Sequence, residues 1–143
     1  VPLRQEVDFI KNYVDLMRIR LADNVKLNTR LSVKTDSDTP IAPLIFISLI
    51  ENAFKHGISG DKPSFIDISL SETPDRKIEF VSRNSHYPKS EADKSGSGIG
   101  LELVKKRLEM AYPGRYQWNS EIADDTYSTT LIIDTKEDYS YEE

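Results

Sequence analysis

The sequence is notable first for what it lacks. It contains no cysteine, so neither a disulfide bond nor a thiolate metal site is available, which suits a reducing compartment. No apolar run reaches the roughly 18 residues that span a bilayer, and no segment has the features of a secretory signal peptide. Positive charge is not in excess, because the net charge is −5, and this argues against non-specific binding to nucleic acid.

What the sequence does contain is 143 residues, enough for one domain with a hydrophobic core, and a long apolar segment from Pro43 to Gly57. This composition predicts a mostly buried helix. We expect Thr39 to cap it, Pro40 or Pro43 to occupy its first turn and Gly57 to end it.

Polar residues recur along this helix at intervals that place them on one narrow stripe: Ser48, Asn52, Lys55, His56 and Ser59. A polar stripe on a buried helix must meet partners or a cavity, because an unpaired polar group is costly to bury. A core helix with a few satisfied polar groups is the simpler alternative, and the number of aligned groups favours a pocket wall. The amide oxygen of Asn52 is a hard ligand suited to Mg²⁺.

Residues 1–22 predict a second helix, whose apolar residues follow a heptad spacing: Leu3, Val7, Ile10, Val14, Met17 and Leu21. This pattern fits the seam of a coiled coil, and it fits equally an amphipathic helix packed on its own domain. Phe9, Tyr13 and Leu16 form a second apolar flank. The pattern alone leaves both alternatives open.

Alternating apolar residues predict strands at 25–33, 65–70 and 77–84, and a closing hairpin at 116–122 and 127–134. The register of the third strand carries Ser82 and Asn84 to the same face as Ile78 and Phe80. Residues 85–95 are polar, and they predict either a plain surface loop or a lid that closes over a ligand.

A glycine-rich string from Gly96 to Leu101 opens a helix that continues to about Tyr112, with its buried face formed by Leu101, Val104, Leu108 and Ala111. Such a turn exposes N–H groups to an anion. Alone it is a weak signal, and neither a Rossmann nor a P-loop pattern fits it.

The two motifs together resemble those of sensor histidine kinases. Glu51 to Gly57 reads Glu-Asn-Ala-Phe-Lys-His-Gly and resembles their N-box, above all in the LytS-type branch. The resemblance implies that Asn52 is the magnesium ligand, that Lys55 and His56 lie near the phosphates, and that Glu51 is a candidate for positioning or proton transfer.

The string at 96–101 resembles the second glycine box of these kinases, which binds the triphosphate and hinges the lid. The resemblance implies nucleotide contacts from five of its residues: Gly96, Gly98, Ile99, Gly100 and Leu101. It also implies that Thr129 lies in the adenine-side pocket.

The sequence departs from the family pattern at two positions. Asn84 stands where many members have an aspartate that accepts from the adenine amino group, and Leu103 stands where this branch usually has asparagine. An asparagine carbonyl can accept the same bond, without charge and with an orientation that has to be fixed.

We therefore expect an α/β two-layer sandwich, in which helices cover one face of a mixed sheet and a lid closes over ATP. Residues 1–22 would be the end of a dimerisation helix, 23–135 the ATP-binding catalytic domain and 136–143 an acidic, disordered tail. With ATP and Mg²⁺ as cofactors, the domain would phosphorylate a histidine outside this chain, and the phosphoryl group would pass to a response regulator.

The resemblance further implies a homodimeric parent that is a membrane sensor, with this domain in the cytoplasm. Two alternatives stay open. One is a degenerate module that senses nucleotides or binds partners without catalysis. The other is an ATPase of the gyrase kind, which would need a carboxylate where this chain has Ser48.

Overall fold

The segments of alternating apolar residues form the strands of one sheet. The computed structural model describes residues 1–34, 37–58, 62–86 and 98–135. Of residues 98–100 only the backbone is described. In chain order the elements are α1 (Leu3–Arg20), β1 (Val25–Ser32), α2 (Ile45–Gly57), β2 (Ser64–Glu72), β3 (Lys77–Ser85), α3 (Gly98–Ala111), β4 (Tyr116–Ala123) and β5 (Thr126–Asp134). The predictions for Ser59, for most of the lid, for Gly96 and for the tail lie outside the described residues.

The sheet is mixed, with the strand order β1-β2-β3-β5-β4. β1 runs parallel to β2, and the other neighbours are antiparallel. Because a parallel pair needs a crossover connection, the chain passes through α2 between β1 and β2. The β4–β5 hairpin turns on Asp124 and Asp125, whose φ angles of 52° and 59° are those of a type I′ turn, which matches the twist of its strands.

One face of the sheet is buried under the helices and the other is largely open. Along β2 and β3 the buried residues alternate with more exposed ones. The inward side chains form the core together with the apolar faces of the helices: Ile66, Ile68, Leu70, Ile78, Phe80, Leu131 and Ile133. The predicted two-layer architecture is thereby confirmed.

The heptad stripe of α1 packs on the domain itself. Leu3, Val7, Ile10 and Val14 are buried in the common core, with Met17 and Leu21 packed at its margin. The backbone at Leu3 also donates to the carbonyl of Thr39, 2.8 Å away. Of the two alternatives left open by the sequence, intradomain packing is the one observed for this stripe. In the described residues, no helix has both the length and the apolar character of a membrane span.

The predicted start of α2 is wrong. The helix begins at Ile45, after Leu44 in the left-handed region with φ of 67°, so neither proline lies in its first turn. Thr39 does not cap it, because the Thr39 hydroxyl donates to the carboxylate of Glu72. The predicted end at Gly57 is confirmed.

In α3 the predicted buried face is correct except at its end. Val104 and Leu108 are buried and Leu101 is half-buried, whereas Ala111 is exposed. Tyr112 is buried in its place, and its hydroxyl accepts a hydrogen bond from the backbone N–H of Ala42. A longer aromatic side chain therefore closes the end of the helix against the loop before α2.

Candidate functional site

The polar stripe of α2 is observed on a helix that packs against β2, β3 and α3. Asn52 and His56 are half-buried, and Lys55 is exposed. Ser48, one turn before Asn52, is already engaged, because its hydroxyl donates to the carbonyl of Leu44 at 2.8 Å. The stripe therefore offers the Asn52 amide, an imidazole and an ammonium group at one edge of a buried helix.

Glu51 lies on a different side of α2. Its side chain is exposed, and its charge is close enough to Tyr13 of α1 to raise the pKa of that phenol, an effect second to the burial of the ring. Tyr13 itself packs edge-on against Phe54, with ring centroids 5.7 Å apart. Glu51 thus faces α1, and its suggested role in positioning or proton transfer stays a prediction.

The C-terminal end of α2 is joined to the end of β3. Gly57 lies so close to Asn84 that a Cβ on the glycine would come within 2.8 Å of the Asn84 Cβ. The Ser85 hydroxyl donates to the carbonyl of Gly57 and accepts from the backbone N–H of Phe65 at 3.2 Å. One buried hydroxyl therefore connects α2, β2 and β3.

Asn84 is 1% exposed, and its amide has one defined hydrogen bond. Nδ2 donates to the carbonyl of Ser85 at 2.9 Å. In the described part of the chain no donor is bonded to Oδ1, so this oxygen can accept a hydrogen bond from a ligand. Asn84 stands directly opposite Tyr127 of β5, and that ring lies 6.4 Å from the ring of His86.

A row of hydroxyl groups crosses the sheet beside Asn84. Ser82 of β3 pairs with Thr129 of β5, which in turn pairs with Ser120 of β4. Ser82 and Thr129 are buried, and the hydroxyls of Thr129 and Ser120 are 3.3 Å apart. The predicted site residue Thr129 thus lies on the helix-covered face, one row from Asn84.

The glycine box leads into α3, which begins at Gly98 and packs against α2. A helix start carries N–H groups without intrahelical partners, where an anion is favoured. Of the predicted phosphate-binding residues, Gly96 lies outside the described residues, while Gly98, Ile99 and Gly100 are described in their backbone only and Leu101 is half-buried.

The residues present fit a nucleotide with a single magnesium ion better than a metal held by the protein alone. Among the described residues, no group of three or more His, Cys, Asp or Glu side chains could hold a metal. Mg²⁺ commonly takes one or two protein oxygens and leaves the rest to phosphate and water. The amide of Asn52 can supply one such oxygen, and Oδ1 of Asn84 is an acceptor of the kind that a base amino group requires.

Sequence reasoning missed Ser85 and did not assign Ser82 or Tyr127 to the site. The alternation of β3 predicts Ser85 on the face opposite Asn84, so periodicity did not single it out, although the structure shows it buried. Its role depends on contact with Gly57, 28 positions away in the chain. The nearness of Ser82 to Thr129 depends on the pairing of β3 with β5, which an unaligned sequence does not contain.

The fold is that of histidine kinase catalytic domains. The catalytic domain of histidine kinase ThkA superposes with a TM-score of 0.64 at 16% identity, covering 94% of this chain and 93% of that one. The histidine kinase domain of a blue-light activated kinase of Erythrobacter litoralis superposes with a TM-score of 0.69 at 14% identity, covering 94% and 62%. ThkA has also been solved in complex with the response regulator protein TrrA, with a TM-score of 0.55 and 17% identity, covering 94% and 39%.

In sequence, the chain is 28% identical to the sensor protein kinase HptS of Staphylococcus aureus over 108 residues, which are 76% of this chain. It spans 19% of the length of that relative. No family's sequence model matches the chain. The predicted likeness to the catalytic domain of sensor histidine kinases is supported by these findings, and the LytS-like branch stays a prediction.

Proposed function

We propose that this chain is the ATP-binding catalytic domain of a sensor histidine kinase of the LytS-like branch. The observation that carries the proposal is the junction of α2 with β3. A buried Asn84, whose Oδ1 receives no hydrogen bond from the described residues, lies against the end of the helix that bears Asn52, within a fold of the histidine kinase type. A base acceptor and a magnesium ligand therefore belong to two elements that are packed together.

Each polar group has a proposed role. Asn52 holds the magnesium ion, which neutralises phosphate charge when it is bound. Lys55 and His56 lie near the phosphates, and the backbone of the glycine box at Gly96, Gly98, Ile99, Gly100 and Leu101 binds them. Asn84 and Thr129 form the base side, and Glu51 assists positioning or proton transfer. Phosphoryl transfer depends mainly on such positioning and charge neutralisation.

The proposed acceptor is a histidine on another domain of the same protein, followed by a response regulator. We propose a homodimeric parent with a membrane-bound sensor region and this domain on the cytoplasmic side. These partners are inferred from HptS, a sensor protein kinase, and from the complex of ThkA with TrrA. Residues 1–22 would continue a dimerisation helix and 23–135 would form the catalytic unit, followed by a disordered tail.

Of the two alternatives, an ATPase is disfavoured by an observation at Ser48. Its hydroxyl is bonded to the carbonyl of Leu44, and a serine cannot replace the carboxylate that would activate water there. A nucleotide-sensing module without catalysis is consistent with the neutral Asn84, and it is separated from a kinase by phosphoryl transfer.

The test of the kinase function is transfer of label from γ-³²P-ATP. The chain is incubated with Mg²⁺ and a longer form of the parent protein that carries Asn52→Ala. The longer protein then lacks a working nucleotide site of its own, so its label has to come from the site of the short chain. We expect acid-labile label on the longer protein only. Label on neither protein, with ATP binding intact, would favour the nucleotide-sensing module, and label on the short chain would make His56 or His86 the acceptor.

A further inference from the structure

The end of β3 contains an amide whose orientation is set by its neighbours. Asn84 is 1% exposed and Ser85 is 4% exposed, so water does not compete freely for their hydrogen bonds. Asn84 Nδ2 donates to the Ser85 carbonyl at 2.9 Å. Turning the amide over would place Oδ1 against that carbonyl, where two acceptors face each other without a proton.

The carbonyl that receives this bond is itself held in place by the Ser85 side chain. The Ser85 hydroxyl donates to the carbonyl of Gly57 and accepts from the N–H of Phe65. The hydroxyl thus uses both its donor and an acceptor position on main-chain groups of two neighbouring elements. The absence of a Cβ at Gly57 lets Asn84 approach α2 closely enough for this arrangement.

We infer that Ser85 is a positioning residue that fixes the Asn84 amide with its oxygen toward the ligand, so that the base pocket selects a 6-amino purine over a 6-oxo purine. The inference rests on the proposed function and adds to it the origin of base selectivity. A 6-amino group donates to Oδ1, whereas a 6-oxo group would oppose it with a second acceptor. The locked amide therefore supplies the discrimination without a negative charge.

The same arrangement argues against a carboxylate at this position. In an Asn84→Asp variant, one carboxylate oxygen would replace Nδ2 and face the Ser85 carbonyl, in a buried site where an unpaired charge is disfavoured. We expect this variant to melt at a lower temperature than the wild type and to show no gain in preference for ATP.

The test compares the affinities of ATP and inosine triphosphate, both with Mg²⁺, by calorimetric titration. Inosine triphosphate has the same sugar and phosphates as ATP, and its base carries a 6-oxo group and an N1–H in place of the 6-amino group and the unprotonated N1. We expect the wild-type chain to prefer ATP by about 10- to 100-fold, the range expected for one well-formed hydrogen bond against an opposed pair. Ser85→Ala should reduce this ratio by about tenfold, because the amide loses its fixed support.

Two control variants separate orientation from general loss of stability. Ser85→Thr keeps the hydroxyl and should retain the wild-type ratio. Ser64→Ala removes another hydroxyl that is 4% exposed, one that donates to the carbonyl of Lys62, and it should leave the ratio unchanged. Melting of every variant is followed alongside the titrations.

The possible outcomes distinguish the inference from the function on which it rests. Equal wild-type affinity for the two nucleotides would overturn the selectivity while leaving the proposed function in place, and this result needs no variant to fold. An unchanged ratio in a folded Ser85→Ala would overturn the positioning role. Failure of the wild-type chain to bind either nucleotide would overturn the proposed function and the inference together.

Discussion

Gly57 has no Cβ, and this allows the close approach of α2 to Asn84. Its ideal Cβ would lie 2.8 Å from the Asn84 Cβ, and the buried Asn84 has little room to move. We predict that Gly57→Ala lowers the free energy of unfolding by about 1–3 kcal/mol, as overpacking does, and weakens ATP binding about tenfold. Urea unfolding and titration with ATP and Mg²⁺ measure the two effects.

Gly114 provides the matched control. Its φ is +70° and nothing lies within 4 Å of its ideal Cβ, so Gly114→Ala should cost about 1 kcal/mol through backbone strain and leave ATP affinity unchanged. Equal ATP affinities for the Gly57 and Gly114 variants would contradict the role given to the Gly57–Asn84 contact.

Glu6 is a buried acid whose ionisation opposes folding. It is 5% exposed and its Oε2 has no hydrogen-bond partner among the described residues. Burial raises its pKa above the usual 4.5, and a hydrogen bond from the Leu44 backbone and the N-terminal charge lower it in part. The folded state therefore holds a proton that the unfolded state has released, between the usual and the raised pKa.

We predict that the stability contributed by Glu6 is full below pH 4.5 and is lost as pH rises through its raised pKa. Glu6→Gln does not titrate, so its free energy of unfolding should rise relative to the wild type across that window. Urea unfolding at a series of pH values measures this difference, and Asp8→Asn on the same helix controls for the loss of one charge. Parallel profiles for the wild type and Glu6→Gln would refute the prediction.

At the scale of elements, α1 is part of the hydrophobic core of the domain. Ile10 is 0% exposed and Ile19, two and a half turns later, is 82% exposed. We predict that Ile10→Ala lowers the free energy of unfolding by about 2–5 kcal/mol, because it leaves a cavity in the core. Ile19→Ala should change it by less than about 0.5 kcal/mol.

Chemical denaturation of the two isoleucine variants tests this packing directly. Similar stabilities would indicate that α1 is detached from the domain in solution, as expected if its heptad stripe served only a coiled coil. Neither substitution changes Phe9 or Leu16, the exposed apolar residues on the other flank of α1.

Element types were predictable from the sequence because their hydrophobic periods are strong. The alternation in β2 and β3 identified both strands and their inward faces, and the apolar content of α2 identified a buried helix ending at Gly57. The start of α2 was not predictable, because Thr39 has a tertiary partner in Glu72 that outweighs its local preference for capping.

The candidate site was predictable in part, for a related reason. Asn52 was proposed as a site residue from its place on a helical stripe and in the N-box, and Asn84 from the family resemblance, with the strand register giving its face; both roles stay predictions. Thr129 was named from the family resemblance, whereas Ser85, Ser120 and the pairing of Ser82 with Thr129 were not predicted, because these relations arise from contacts between elements distant in sequence. Local periodicity thus predicted the faces on which the candidate residues lie, whereas their contacts with one another depend on long-range packing.

At the scale of the whole molecule, we predict that α2 and β3 act together on one ligand. Asn52 would hold the metal and Asn84 the base, so nucleotide and Mg²⁺ should bind cooperatively. Without the Asn52 amide the metal would lose its protein ligand, and the nucleotide should then bind more weakly, through its base side, and independently of Mg²⁺. Melting temperatures establish whether each variant remains folded.

The most direct measurement is calorimetric titration of the chain with ATP, once with Mg²⁺ and once with a chelator. We expect Mg²⁺ to tighten binding by about tenfold or more in the wild type and to have no effect in a folded Asn52→Ala. Ser48→Ala, whose hydroxyl is bonded within α2, should bind as the wild type does. Binding that is equally tight with and without Mg²⁺, or an Asn52→Ala that retains the magnesium dependence, would contradict the account.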